Sequence, residues 1–225
     1  MMSIDLAPDK ISSYINTFDI QNFSAVKIIN FLRDIPEFAQ LDERDRLILV
    51  KYNLQLLSVI RNGLTFDQTR EIVYEELMDR CVPPNEEAFA HQCKSLFTLC
   101  YGYDFVRTYL SVLHAIANLV EHDSTIVQLL MMTMIFLKGL SGNVEQEPSL
   151  NDGHSVFHAQ STYTDLLFRY LIDKSSFNDA VIKMMRIVEI LIKIQKVTRD
   201  FQENIRTKVD VNYLNPLMRS LLHFT

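Results

Sequence analysis

Apolar residues recur along this chain with helical spacing. In "AVKIINFLRDIPEF", Ile28, Phe31, Leu32 and Ile35 stand at i, i+3, i+4 and i+7, one face of a helix. Pro36 stops or bends it. Asp42 is placed to cap the next helix, and Asp45 puts negative charge in its first turn, where the helix dipole favours it. That helix runs to the Asn62-Gly63 pair, a C-cap signal, and about nineteen residues make a rod roughly 28 Å long. Weaker helical patterns follow in "QTREIVYEELMDR" and "NEEAFAHQCKSLFTL". Stronger ones stand in "YDFVRTYLSVLHAIANLV", in "STIVQLLMMTMIFLKGL" behind an Asp123-Ser124 cap, and in "SVFHAQSTYTDLLFRYLI". The longest is "FNDAVIKMMRIVEILIKIQKVTRDFQENI". Residues 141–153 are the one evident loop, and the only strand candidate is a short turn near "NGLTFD".

The pattern predicts an all-α fold of about nine to eleven helices in a single domain over residues 1–225. Stretches 47–60 and 126–137 are apolar nearly all round and need neighbours on both sides. Three layers of antiparallel helices are therefore expected, rather than two.

Composition narrows the function classes. At 48% apolar and 22% charged the chain is of ordinary globular type. A net charge of −6, with no dense basic run, gives no electrostatic reason to hold nucleic acid directly. DNA contact would come only through another domain or a partner. Cys81, Cys93 and Cys100 are odd in number and form no CxxC pair, which suits a reducing compartment better than a zinc or disulfide framework. The first residues lack a signal-peptide pattern. The run from Ile126 to Leu137 is too short for a bilayer, which takes about 20 residues. A soluble intracellular protein without membrane contact is expected.

Enzyme chemistry finds little support. His154 and His158 are four apart, a spacing that can put two imidazoles on one helix face for a metal, but no acidic third ligand stands nearby. His114 and His122 flank apolar helix. The sequence has no Gly-rich phosphate loop, no G-x-S-x-G and no Cys with an evident His partner. No catalytic residue, metal or cofactor is expected.

Polar residues inside the greasiest helix are harder to place. Lys51, Gln55, Ser58 and Asn62 fall at i, i+4, i+7 and i+11, one narrow stripe with Arg61 beside its end. Spacing alone leaves two readings open, a solvated face or polar groups turned into an enclosed space. The second is costly unless something bonds them.

Read with what precedes it, "VKIINFLRDIPEFAQLDERDRLILVK" resembles the signature of nuclear receptor ligand-binding domains. That signature is a helix ending in a basic residue, a Pro-containing bend, then F-x-x-L-x-x-x-D-Q-x-x-L-L-K. Here it stands as Phe38, Leu41, Asp45, Arg46, Leu49, Val50 and Lys51, with Arg46 in place of the usual Gln and Arg33 in place of the usual preceding Lys. "HDSTIVQLLMMTMIFL" looks like the family's eighth helix, residues 178–206 like its long dimerisation helix, and "NPLMRSLL" like its terminal activation helix. Ser220 stands where the activation helix usually carries a Glu, and Ile126 where an acidic residue is expected. The family's Cys-rich DNA-binding module does not occur in the sequence.

The resemblance implies three sites. The first is a pocket lined by Ile20, Gln21 and Ser24 and by Leu54, Gln55, Ser58 and Arg61, taking a lipophilic small molecule with an acidic or polar end. Arg61 would meet a ligand carboxylate, a task suited to a planar guanidinium. Tyr52, Phe66 and the methionines could instead plug that space, leaving a ligand-independent dimerisation or repressor module. The second is a groove between Arg33 and Lys51, with Ile29, Arg46 and Leu47 between them, for coregulator helices of the L-x-x-L-L type. Its cations would meet the free carbonyls at the docked helix's C-terminus. The third is the tail, with Asn215 as cap, Pro216 at the first helical position and Leu217, Met218, Leu221 and Leu222 as its apolar face. Without a carboxylate at Ser220, weaker coactivator recruitment is expected. Met218, Leu221 and Leu222 also spell M-x-x-L-L, so the tail could occupy the groove itself. The long helix, with Met184, Met185, Val188, Leu191 and Ile192, would make a homo- or heterodimer, and the protein would act in the nucleus, with shuttling to the cytoplasm allowed.

Overall fold

A computed structural model describes residues 24–73, 86–139, 147–208 and 216–221. Its first helix, α1 (24–33), buries Ala25, Ile28 and Leu32. Ile35 is extended (φ −83°, ψ 115°) ahead of Pro36, because the proline ring disfavours helical geometry in the residue before it. Pro36 then opens α2 (Pro36–Gln40), a short helix anchored by buried Phe38. Asp42 caps α3 (Glu43–Leu64) as its side chain accepts from the Asp45 N–H at 2.8 Å.

The helix α3 runs past Asn62-Gly63, which corrects the expected C-cap. Gly63 stays helical and buried, and Thr65 takes the cap. Gly63 is needed for contact rather than termination, since a Cβ there would lie 2.2 Å from Ile116 Cγ2. Two strands follow, β1 (Phe66–Asp67) and β2 (Ile72–Val73), antiparallel with Phe66 opposite Val73. The helical pattern expected from Gln68 onward is therefore corrected over residues 68–73. The Asp67 carboxylate accepts from the Thr69 and Arg70 N–H groups at 2.8 and 3.0 Å, and this side-chain turn, with β-branched residues behind it, outweighs the weak helical spacing. Residues 74–85 lie outside the described part.

The chain continues through α4 (Glu86–Tyr101) and α5 (Tyr103–Val120), separated at Gly102, whose φ of +90° few side chains tolerate. Asp123 caps α6 (Ser124–Ile135), accepting from Thr125 N at 2.9 Å. Asp152 caps α7 (Gly153–Lys174), and α8 (Phe177–Lys208) and α9 (Pro216–Leu221) complete the described helices. The fold is all-α, as its apolar spacing predicts. Helix α7 lies on α6 and α8, α6 lies on α3, α3 lies on α5, and α5 lies on α8. The two rods expected to need several neighbours, α3 and α6, thus each pack against more than one helix.

Two polar anchors fix α3. Asp45, fully buried, accepts from the backbone N–H groups of Asn151 and Asp152, both at 2.8 Å. Asn151 also accepts from Arg44 and donates to Asp42, tying the start of α3 to the start of α7. Ten residues earlier than Gly63, buried Asn53 donates to the carbonyls of Ile135 and Leu137 at 2.9 and 2.7 Å, closing the end of α6.

Replacing Asp45 by Ala strands two backbone donors and is expected to cost roughly 3 kcal/mol. Thermal denaturation should show a fall in Tm on the order of 10 °C. Gly63→Ala is expected to lose about 1–3 kcal/mol by overpacking. Combined with Ile116→Ala, it should lose less than the sum of the two single variants, a coupling that denaturant titration measures.

Candidate functional site

The polar residues of α3 face other helices. Arg61 Nη1 donates to Ser24 Oγ at 3.1 Å, and Ser24 is buried on α1. Asn62 donates to the Tyr109 hydroxyl on α5 at 3.0 Å. Ser58 is satisfied within its own helix, donating to the carbonyl of buried Leu54 at 3.0 Å. Gln55 accepts at Oε1 from Gln202 Nε2 on α8 at 3.1 Å, while its own Nε2 is sealed from solvent with no protein partner. All four are half-buried, so the stripe is not a solvated face.

Of the residues predicted to line a pocket, Ser24 and Arg61 are brought together and Leu54 and Ser58 share a turn. Gln55 is turned toward α8 rather than α1, since six residues along an α-helix fall roughly a third of a turn short of two complete turns. Ile20 and Gln21 lie outside the described residues. Tyr52, expected as an internal plug, instead lines a surface depression, and burial followed by the Glu147 carboxylate pushes its hydroxyl pKa up. Phe66 is buried, with its ring edge-on to His114 at 4.9 Å between centroids.

Sequence reasoning missed Gln202, which meets α3 from α8, and Thr198 one turn before it. Gln202 is only 5% exposed and Thr198 8% exposed, and the Thr198 hydroxyl is enclosed with no protein partner. Their signal was present: both fall in the inward register of α8 set by Ile190, Ile194, Val197 and Ile205. Between them Phe201 packs on Tyr101 and Phe105, at 5.2 and 6.2 Å between ring centroids. Tyr101 packs in turn on Phe97 at 5.3 Å.

On the outer surface, Ile29 is half-buried on α1 and Arg33 is exposed at its end. Arg46 and Lys51 are half-buried, and Arg46 Nε is enclosed with no protein partner. Leu47 stands 63% exposed between them in sequence. An open depression of about 680 Å3 adjoins Leu47 and Lys51, bounded by Asp42, Arg44, Pro148 and Asn151. Helix α9 lies against α3 but leaves Leu47 uncovered. Pro216 and Ser220 are exposed on it. The side chains of Leu217, Met218 and Leu221, together with Asn215 and Leu222, lie outside the described part.

The stripe expected on α8 divides into two. Met184 and Leu191 pack against the core, while Met185, Val188 and Ile192 point outward. Exposed Phe157 on α7 extends this apolar surface, lining with Met185 and Val188 a second depression of about 680 Å3 between α7 and α8. His154 and His158 are exposed on α7. Among the described residues no group of three His, Cys, Asp or Glu could hold a metal ion, and no helix is long and apolar enough to cross a membrane.

An all-α sandwich built around a rod with inward-facing polar residues is the frame in which one family comparison falls. The family model for the ligand-binding domain of nuclear hormone receptors matches residues 5–208. The chain belongs to that family. A search of curated proteins finds no match.

Proposed function

We propose that residues 1–225 form one ligand-binding domain that binds a lipophilic small molecule inside and coregulator helices outside, and that acts as a dimer in the nucleus without enzymatic activity. DNA contact is left to a domain outside these residues or to a partner. The observation that carries the ligand reading is the direction of α3's polar groups: Arg61 meets buried Ser24, and Gln55 meets buried Gln202. A chain selected for stability alone would place apolar side chains there. Arg61 supplies the cation for an acidic or polar ligand end, with Ser24 as its neighbour.

Leu47 supports the coregulator reading. A leucine this exposed, flanked by Arg46 and Lys51 on one helix and matched by Ile29 and Arg33 on another, suits the apolar anchors of an L-x-x-L-L helix and the carbonyls at its end. Ser220 offers no carboxylate to the opposite end, so recruitment is weaker than in a member with Glu. The outward face Met185, Val188 and Ile192, continued by Phe157, supports pairing through α7 and α8.

A second reading, a filled domain that only dimerises or represses, is favoured by one set of contacts. Ser58, Arg61 and Asn62 already have protein partners.

Leu47→Ala with Lys51→Ala is expected to weaken an L-x-x-L-L peptide at least tenfold, about 1.4 kcal/mol, with Tm unchanged. Fluorescence anisotropy of a labelled peptide measures this, and equal affinity would move the docking site elsewhere. Native mass spectrometry of the same chain should show a dimer, and Met185→Glu with Val188→Glu should convert it to monomer. A dimer that survives both charges excludes this face.

A further inference from the structure

Charged side chains between Arg33 and Lys51 are engaged unevenly. Three of the carboxylates hold the fold together. Asp42 accepts from the Asp45 N–H and from Asn151, Asp45 takes two backbone N–H groups from the start of α7, and Glu37 accepts from the Tyr163 hydroxyl. Arg44 donates to Asn151. Arg33, Arg46 and Lys51 have no ion pair among the described residues, although Asp34 and Glu43 stand exposed close by in the chain. Arg46 differs from the other two. It is half-buried and its Nε is enclosed without a protein partner, so its stem lies against the protein and only its terminal nitrogens can meet an incoming group. Exposed Leu47 stands beside it. Helix α9, which lies against α3, adds Arg219 and no carboxylate among its described residues.

A docked helix offers cations two kinds of negative charge. The carbonyls at its C-terminus amount to roughly half a unit charge, for which Arg33 and Lys51 suffice. A third cation gains little from that end. Covered by bound leucines, the Arg46 guanidinium would lose water without a partner, unless the incoming helix brings a carboxylate of its own. A guanidinium and a carboxylate match as two parallel N–H···O bonds, and a stem already held against the protein has less rotamer freedom to lose. From this imbalance we infer that Arg46 makes the groove selective for L-x-x-L-L helices that carry Asp or Glu beside their leucines, and against those that carry Lys or Arg there. The selectivity rests on the coregulator-groove reading above and gives that partner its chemistry. The chain's own M-x-x-L-L tail, with Arg219 inside the motif, has the opposite sign.

Three peptides with the same leucines, flanked by glutamate, glutamine or lysine, are titrated by fluorescence anisotropy into the full chain and its Arg46→Gln and Arg46→Lys variants. With Arg46 present, the glutamate peptide should bind roughly tenfold more tightly than the glutamine peptide, and the lysine peptide more weakly than either. Arg46→Gln should cut the glutamate preference to under about threefold, the coupling that a double-mutant cycle isolates. Arg46→Lys, which keeps the charge and loses the paired geometry, should restore only part of it. Added salt should narrow the preference, because charges at a surface are screened. Equal binding of the glutamate and glutamine peptides overturns the selectivity and leaves the groove standing. A glutamate preference that survives Arg46→Gln overturns Arg46 as its source. Binding of none of the three removes the groove, and the selectivity with it.

Discussion

The orientation of α3 about its own axis is the constraint on which the other features depend. A long apolar rod can rotate within a greasy environment at little cost, because hydrophobic burial has no direction. Directional contacts remove that freedom. At one end the buried Asp45 carboxylate takes two backbone N–H groups from the start of α7, and in the middle Asn53 takes two carbonyls from the end of α6. At the other end Gly63 admits Ile116 so closely that no side chain fits between. A buried charge with both oxygens bonded is tolerated where a lone one is not. These three contacts fix the face of α3 that carries Leu47, Gln55 and Arg61; along it Leu47, near the start, is exposed, while Gln55 and Arg61, further on, are half-buried.

Polar residues in such a rod are expensive, and their partners show how much of that expense is offset. A buried hydrogen bond made within the protein returns about 1 kcal/mol net, whereas an unmade one costs roughly 1–3 kcal/mol. Arg61, Asn62 and Ser58 are on the favourable side of that balance; Gln55 Nε2 and Thr198 Oγ1 are on the other. Valine at 198 would be the more stable choice there, whereas leucine at 55 would strand the buried Gln202 amide. Local choices that conflict with stability tend to mark functional positions, and here one lies on each of the two helices that the Gln202–Gln55 hydrogen bond joins.

Much of the fold was legible because its cues are local. Aspartates ahead of apolar runs marked the starts of α3 and α6, Pro36 marked a bend, and runs apolar all round required buried rods. Features decided by distant partners were not legible. Gly63 read as a helix end because nothing near it in sequence reveals Ile116, which packs against it from α5. Ile72 and Val73 fit a weak helical pattern until the Asp67 turn folds them back on Phe66. Tyr52 read as a plug because the azimuth of α3 is set by Asn151 and Ile135, far along the chain. For the candidate site the visible half was the stripe on α3. Its complement on α8 was hidden, since two polar residues in a 32-residue helix look like surface until the register of Ile190, Ile194 and Ile205 is known to face inward.

One rod carries both proposed sites, and this bears on how they would communicate. Lys51 and Gln55 are one turn apart, on one face of α3. A ligand held at Gln55 cannot move Lys51 by tilting the helix, because the anchors at Asp45, Asn53 and Gly63 restrain it and packed cores do not deform continuously. The movable part has to be an element with little stability of its own. Helix α9, six described residues long, is far too short to persist alone in water, so its position depends on what it rests against. It lies along α3 with Leu47 still open. Communication between cavity and groove would therefore run through the population of α9 placements rather than through a shift of α3. A ligand could change that population only by as much as it binds one placement better than another.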